Sequence, residues 1–340
     1  MTSTEPLHVS VILPCRNEAK SIRSCLDSVV ANDFPKDQLE LLVVDGQSED
    51  GTREIVFEFS KRHPWIRFLD NVRRIVPAAM NIGIQSAKGQ IVIRMDAHTV
   101  YPANYVSGLV QWLVKSKADN VGGICITLPA NQTPEANAIA FALSHPLGVG
   151  NGYFRIGAAE PKWVDTVPYG CYRKQVFHQV GLFNENLIRN QDIEFNLRLK
   201  RRGGKILLVP AIVSYYSARS TIKDFLKQSF ANGFWVIYGA GFTHLPFSVR
   251  HVVPLLWVGS LMTLSAAAFY NQGFIVVALL MLTLYLAVST AVSVHLAWSR
   301  GMKTCLCLIA AFGTLHFGYG AGSLWGLVKL GQLKANKKRY

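Results

Sequence analysis

Acidic residues run out about two-thirds of the way along this 340-residue chain. Asp224 is the last of them, and from His251 to the C-terminus there is neither Asp nor Glu. The same stretch carries Arg300, Lys303, Lys329, Lys334, Lys337, Lys338 and Arg339, half of the formal +14 charge of the whole chain. A soluble nucleic-acid binder spreads its basic residues over a polar face and interleaves them with aromatics. Here they sit between and after long apolar runs, the way basic residues flank membrane spans. The pattern argues against nucleic acid as a partner and for a membrane. CxxC pairs are also missing: Cys15, Cys25, Cys125, Cys171, Cys305 and Cys307 show no zinc-type spacing and no matching histidine cluster. Free thiols in a reducing compartment are expected. Met1 to Leu7 is short and polar and lacks the apolar core of a secretory signal, so the N-terminal part is expected to remain cytoplasmic. Finally, the first apolar run is followed by Pro14-Cys15-Arg16-Asn17 rather than a glycine-rich turn, which speaks against a dinucleotide-binding oxidoreductase.

What is present is an alternation of strand-like and helix-like segments. Val9–Leu13 is a short apolar run, followed by a helix pattern over Ile22, Leu26, Val29 and Val30. Leu41–Val44 is a second run, ending in Asp45-Gly46. Ser48, Glu49 and Asp50 then supply capping chemistry for a helix through Ile55, Val56 and Phe59. Ile66–Leu69 is a third strand, Pro77 sits in the first turn of a helix running to about Ala87, and Ile91–Met95 is a fourth strand with Asp96 at its carboxyl end. Strands separated by helices imply parallel pairing with right-handed crossovers. Ligands of such sheets bind beyond the carboxyl ends of the strands, where Asp45 and Asp96 both fall. Residues 128–160 are rich in Pro, Gly, Asn and Ala and read as loop and irregular helix. A strand near Trp163–Val167, a helix from about Arg173, a short helix over Gln191–Arg202 and a strand at Ile206–Val209 complete this part.

From His251 the pattern changes. Val252–Tyr270 and Phe274–Trp298 are almost wholly apolar, have no polar face, and are each long enough to cross a hydrocarbon core of ~30 Å. A third stretch, Cys305–Leu330, contains His316 and is loosened by Gly313, Gly318, Gly320, Gly322 and Gly326. Three full crossings would carry the basic C-terminus to the side opposite a cytoplasmic N-terminal part, against the positive-inside tendency. A re-entrant or surface-lying third segment resolves the conflict. The division expected is therefore a catalytic domain over residues 1–225, a juxtamembrane segment over 226–250, and a membrane region with two or three membrane segments and a basic tail over 251–340.

Val9-Ser10-Val11-Ile12-Leu13-Pro14-Cys15-Arg16-Asn17-Glu18, Val43-Val44-Asp45-Gly46-Gln47-Ser48-Glu49-Asp50-Gly51-Thr52 and Met95-Asp96-Ala97-His98 together resemble the family 2 glycosyltransferases over residues 8–225. The Asp-Ala-His triplet, Thr99-Val100-Tyr101-Pro102 after it and the apolar tail look like the ExoA-type glucosyltransferases of succinoglycan biosynthesis. The resemblance implies a GT-A fold, an α/β Rossmann-like and mostly parallel sheet flanked by helices, followed by transmembrane helices. It also implies a nucleotide-sugar donor such as UDP-glucose, a lipid-linked polyprenyl acceptor, a divalent cation (Mn²⁺ or Mg²⁺), and a place among other glycan-assembly enzymes at the inner membrane.

By that resemblance Pro14, Asn17, Glu18 and Asp45 read the nucleotide, with Asp96 near ribose or metal. On the residues alone, Asp45 is otherwise a turn residue ahead of Gly46, Glu18 an acid in a helix's first turn, and Asp50 more an N-cap than a ligand contact. Departure of a diphosphate needs positive charge on its oxygens, which a divalent ion supplies. Asp96 and His98 alternate across one residue, so an extended strand end turns both to one side. His98 stands where the family carries a second acid; imidazole ligates Mn²⁺ more naturally than Mg²⁺. Asp192, in Asn190-Gln191-Asp192-Ile193-Glu194, matches the family's catalytic carboxylate, with Glu194 as the fallback base. Arg73, Arg74 and Asn81 fall where donor contacts would lie, although a solvated charge pair is the plainer reading of the arginines. Trp235, in Gln228-Ser229-Phe230-Ala231-Asn232-Gly233-Phe234-Trp235, lines the acceptor site or serves as an interfacial aromatic; the Arg of the processive enzymes' Gln-x-x-Arg-Trp is missing there.

Overall fold

A computed structural model describes residues 7–242 and 249–337. Lys338 and Arg339 of the basic tail lie outside the described residues, as do Met1 to Pro6. The chain divides into two compact units that interleave in sequence. One comprises Met1–Ile126 with Gly157–Tyr216, the other Thr127–Ile156 with Ser217–Tyr340. The stretch expected to form one domain up to residue 225 thus lends residues 127–156 and its last few residues to the second unit.

The first unit opens with β1 (Val9–Cys15), α1 (Ile22–Val30), β2 (Leu39–Asp45), α2 (Thr52–Arg62), β3 (Ile66–Asp70), α3 (Val76–Ser86) and β4 (Ile91–Arg94). Each matches a segment read from the sequence. β1 is buried along its whole length, as a central strand covered on both faces must be. Its one hydroxyl, on Ser10, donates to Glu40 at 2.6 Å and accepts from the Gly89 amide at 2.8 Å. β1 pairs in parallel with β2 on one side and with β4 on the other, and β2 pairs in parallel with β3. The register places Cys15 beside Asp45 and Asp45 beside Asp70, so these strands end level with one another.

β5 (Thr99–Val100), α4 (Tyr105–Ser116) and β6 (Asn120–Leu128) follow. Residues 128–160, expected to be irregular, contain a regular helix, α5 (Pro134–Ser144), then two single turns, α6 (Pro146–Val149) and α7 (Tyr153–Ile156). Thr133 caps α5 by accepting from the Ala136 amide at 3.2 Å, and Pro134 pre-sets its first turn. The alanine-rich composition that blurred the periodicity is itself helix-favouring. After β7 (Lys162–Trp163) come β8 (Cys171–Arg173), α8 (Gln175–Val180), α9 (Gln191–Arg201) and β9 (Ile206–Ser217). The sheet order is β3-β2-β1-β4-β8-β6-β9-β5, with β7 against β9. β8 runs antiparallel to both β4 and β6, so the sheet is mixed beyond β4.

In the second unit α10 (Ile222–Tyr238), α11 (Val253–Ala267), α12 (Gly273–Ala297) and α13 (Met302–Lys337) join α5 to α7. α12 is apolar all round, and within it only Ala278, Ser289, Ser293 and Ala297 are buried. Such a helix is not the core of a soluble domain. Among the described residues, α12 and Met302–Lys334 of α13 are long and apolar enough to cross a membrane; α11, at 15 residues, is shorter. Phe269 and Tyr270, between α11 and α12, are 93% and 94% exposed.

The glycines of the third apolar stretch do not break it, because α13 is continuous over 36 residues. Gly318, Gly322 and Gly326 line its contact with α10, and Gly320 faces Pro254 and Val258 of α11. A Cβ at Gly322 would stand 2.0 Å from the Phe230 carbonyl oxygen, and one at Gly326 2.8 Å from that of Phe234. One at Gly318 would meet Leu226 at 2.9 Å. From the other side, a Cβ at Gly233 would lie 2.0 Å from the Tyr319 carbonyl oxygen. Helices approach this closely only where both surfaces are small, the usual arrangement of apolar helices in lipid. Gly322→Leu is therefore expected to cost at least about 2 kcal/mol, read as a lower thermal midpoint of the protein in detergent. Gly313→Ala adds a methyl that meets nothing within 4 Å and should leave the midpoint unchanged or higher.

Candidate active site

The chain leaves β1 to build β2 and β3 on one side and returns to place β4 on the other. At such a reversal the loops after the two strands diverge and leave a crevice beyond their carboxyl ends. A cleft of about 150 Å³ opens there. Pro14, Cys15, Arg16 and Glu18 line it from the end of β1, Gly46 from β2, Arg74 and Ala79 from the approach to α3, and Arg94, Asp96 and His98 from β4 and beyond. Of the residues expected at the nucleotide, Pro14, Glu18 and Asp96 meet here, together with His98, expected at a metal ion.

Asn17 and Asp45 stand behind this surface. The Asn17 amide donates to Ser48 Oγ at 2.8 Å, and its side-chain oxygen accepts from the Glu49 amide at 2.9 Å. Asp45 has a fully buried side chain. Its carboxylate accepts from the Ser48 amide at 3.0 Å, from Ser48 Oγ at 2.5 Å and from Arg53 Nη1 at 3.1 Å. Asp45 therefore organises the loop after β2 from beneath. Asp50 does the same from outside, accepting from the Ala19 amide at 3.0 Å and from Thr52 Oγ1 at 2.5 Å. Arg73 pairs with Glu185, and Asn81 holds Phe183 and Glu185, so neither reaches the cleft, whereas Arg74 does.

Two carboxylates shape the charge of the cleft. Burial opposes ionisation of Glu18, but hydrogen bonds from His98 (Nδ1 to Oε1, 3.3 Å) and Ser21 (Oγ to Oε2, 2.6 Å) outweigh it and hold the acid below its ordinary range. Burial likewise opposes the charge on Asp96, and Arg94 reverses the balance with a two-pronged contact, Nε to Oδ1 at 2.8 Å and Nη2 to Oδ2 at 3.1 Å. The Asp96 amide donates to Tyr101 Oη at 2.7 Å, fixing the strand end. Arg94 itself stays charged despite burial, because Asp96 and, next, Asp192 act on it. Arg16, Arg74 and Arg94 bring three guanidinium groups to one cleft, the charge an anionic ligand requires. The sequence reading passed over Arg16 and Arg94; the signal for Arg94 was a charged residue inside an otherwise apolar strand, two positions before Asp96.

Asp192 sits in the first turn of α9, and its charge is felt at Arg94 and Tyr172. α9 is anchored beneath. Phe195 stacks on Phe183 with ring centroids 4.7 Å apart, and Asn196 accepts from Asn120 at 3.0 Å and donates to Thr166 at 2.8 Å. Glu194, the expected fallback base, is 3% exposed, and Arg198 takes both its oxygens, at 2.6 and 3.0 Å. A carboxylate so engaged holds the helix rather than accepting a substrate proton. Trp235 belongs to the second unit, on α10, where it packs edge-on to Phe234 and Tyr238.

Among the described residues no three or more His, Cys, Asp and Glu side chains gather as a metal cage. A cation bound through substrate phosphates needs only one or two protein ligands. Asp96 keeps lone pairs beyond those Arg94 uses. A neutral His98 that donates from Nδ1 to Glu18 carries its lone pair on Nε2, the carboxylate–histidine pairing found behind metal ligands. The two residues fit a site completed by a diphosphate.

Because the folded acids at Glu18 and Asp96 are held low, their contribution to stability is complete above the unfolded carboxylate range and is lost as pH falls through the folded values. The thermal midpoint should be level from about pH 8 to about pH 5 and fall below about pH 4. Asp96→Asn should cost roughly 3–5 kcal/mol at neutral pH, by leaving Arg94 buried and unpaired, and should flatten the acid slope. Thermal unfolding across pH checks both.

The comparisons with known proteins agree with this geometry. The sequence profile of glycosyl transferase family 2 matches residues 10–179. Over 233 residues, 66% of this chain and 71% of the relative, the chain is 33% identical to the dolichyl N-acetyl-alpha-D-glucosaminyl phosphate 3-beta-D-2,3-diacetamido-2,3-dideoxy-beta-D-glucuronosyltransferase of Methanococcus voltae. Over 235 residues, 68% of this chain and 69% of the relative, it is 31% identical to the succinoglycan biosynthesis protein ExoA of Rhizobium meliloti (strain 1021). In fold it is similar to the mannosyltransferase PcManGT of Pyrobaculum calidifontis, solved with GDP-Man and Mn²⁺, with a TM-score of 0.58, 19% identity and 95% and 88% of the two chains covered. With Pro14, Glu18, Asp96 and His98 brought to one crevice on a GT-A-like α/β sheet, this chain belongs to glycosyl transferase family 2.

Proposed function

We propose that the chain is an inverting hexosyltransferase that moves a sugar from a nucleotide sugar, with UDP-glucose the first donor to test, onto a lipid-linked saccharide in exopolysaccharide or envelope-glycan synthesis. The observation that carries this reading is the cleft at the β1/β4 reversal, where three arginines, Glu18, Asp96 and His98 face one another within reach of the charge of Asp192. The Methanococcus relative is named for transfer to a dolichyl-phosphate-linked sugar and the Rhizobium relative for succinoglycan synthesis, which favours a lipid-linked saccharide over bare polyprenyl phosphate.

In the reaction the acceptor hydroxyl oxygen attacks the anomeric carbon. The bond from that carbon to the diphosphate oxygen breaks, and its electron pair leaves on the diphosphate. The hydroxyl proton passes to Asp192. A single displacement inverts the anomeric centre. Pro14 and Glu18 border the nucleotide, with Asn17 and Asp45 shaping the loops that hold it, and the arginines oppose the negative charge that grows on the leaving group. A divalent cation held by Asp96 and His98 would add to that neutralisation when bound.

The membrane part of the proposal follows from contacts inside the second unit. Arg300, after α12, lies over the Phe141 ring of α5 at 4.6 Å. His316 of α13 is 2.9 Å from the Leu147 carbonyl oxygen in α6. With the loop after α12 and the body of α13 packed on α5 and α6, the positive-inside tendency puts Arg300 and Lys303 on the cytoplasmic side, and α11 with α12 forms the membrane hairpin, its exposed Phe269 and Tyr270 at the far interface. Bilayer thinning accommodates the short α11. Arg300, Lys303, Lys329 and Lys334 then fall on one side, the cytoplasmic side of the inner membrane.

Three outcomes are expected. Purified enzyme in detergent, screened against nucleotide sugars with and without Mn²⁺ or Mg²⁺, should hydrolyse one donor preferentially and transfer to a lipid-linked saccharide. Transfer to bare polyprenyl phosphate instead would make it a polyprenyl-phosphate monosaccharide synthase, and no turnover with any donor would indicate a non-catalytic assembly subunit. Asp192→Asn should lower kcat by about 10²–10⁴ while donor KM stays within a small factor; unchanged turnover would refute the assigned base. In intact cells, a cysteine at Gln272 should react with a membrane-impermeant maleimide, and one at Lys303 should not.

A further inference from the structure

Arg94 has three guanidinium nitrogens, and the protein uses two of them. Nε and Nη2 are committed to Asp96 at 2.8 and 3.1 Å. Nη1 is buried and has no hydrogen-bond partner. An unmade hydrogen bond on a buried charged group is expensive, and the strand end offers no structural reason to keep one. Arg94 pairs through Ile12 with β1, so its Cα lies level with the strand that delivers Pro14 to Glu18 to the same cleft. Asp192, the next negative charge acting on it, forms no ion pair with it.

We propose that Nη1 of Arg94 is reserved for a diphosphate oxygen of the nucleotide donor, making Arg94 a fixed cation of the donor site that works beside, and independently of, a bound metal ion. The proposal rests on the nucleotide-sugar reading above. Asp96 holds the guanidinium plane while the third nitrogen completes its bonding on the ligand, so the charge is already oriented before the electron pair arrives on the leaving oxygen. In a chain whose second motif acid is a histidine, such a cation keeps donor binding from depending on metal alone.

Calorimetry in EDTA, with the full chain in detergent, separates this role from a structural one. The probes are the nucleoside diphosphate that the wild-type protein binds, chosen from UDP, GDP and ADP, and the matching uncharged nucleoside. Arg94→Met should weaken the diphosphate by about 10- to 100-fold and leave the nucleoside unchanged. Arg94→Lys keeps the charge without the fork and should fall between, which keeps the test readable where Arg94→Met does not fold. Equal weakening of both probes would mark Arg94 as merely structural, and an unchanged diphosphate affinity in either folded variant would overturn the proposal. Binding of no nucleotide by the wild-type protein would instead overturn the nucleotide-sugar reading on which it rests.

Discussion

The position of β1, with β2 on one side and β4 on the other, is the constraint on which the site depends. A strand buried on both faces cannot shift without exposing its entire apolar set, so the loops leaving it are fixed at their roots. The register aligns the ends of β1, β2 and β3 at Cys15, Asp45 and Asp70. The loops after β1 and β2 then tie to each other, through Asn17 to Ser48 and Glu49 and through Asp50 to Ala19. Their buried knot is Asp45. The cleft is thus walled by loops that carry their own hydrogen-bonded support before any ligand arrives, which lowers the ordering cost of binding.

Charge within the cleft is arranged as opposed pairs rather than as a uniform field. Arg94 holds Asp96, and His98 meets Glu18. The largely buried Arg94–Asp96 pair would be costly with one member missing, whereas His98 and Glu18 meet in a more exposed hydrogen bond. On the proposed reading, His98 in place of a second motif acid leaves one negative charge fewer where a diphosphate would approach.

Much of this was legible in the sequence. β1 to β4 and the helices between them announced themselves because apolar runs of four or five residues alternated with capped, periodic segments. The motifs fell at strand ends because the residues that cannot be buried in a parallel strand collect there. What escaped had physical causes. β8 is three residues long, Cys171–Arg173, too short for any periodicity, and it owes its place in mid-sheet to pairing with β4 and β6. α5 hid in small residues whose hydrophobicity is too even to show a face. Glu194 reads from sequence as a fallback to Asp192, and only the fold shows that Arg198, one turn along α9, claims it. Arg94 looked like a strand residue because its role comes from Asp96, which shares its side of the chain.

The tail shows the same principle in an apolar setting. Five glycines in Cys305–Leu330 suggest a weak helix when intrinsic propensity is considered alone. In α13 the loss is offset by backbone contact: Gly318, Gly322 and Gly326 form one ridge against α10, and Ser323 Oγ donates to the Gly233 carbonyl at 3.2 Å within that seam. Contact with α5 and α6 occupies the earlier part of α13, through Phe312 against His145 and His316 at Leu147. α12, which lacks such a seam, presents leucines outward along its length. The two long apolar helices therefore differ in setting: α13 meets a protein face along much of its length, whereas α12 is left largely uncovered. Composition alone ranks them together, and it is the distribution of glycine, with the elements it admits, that separates them.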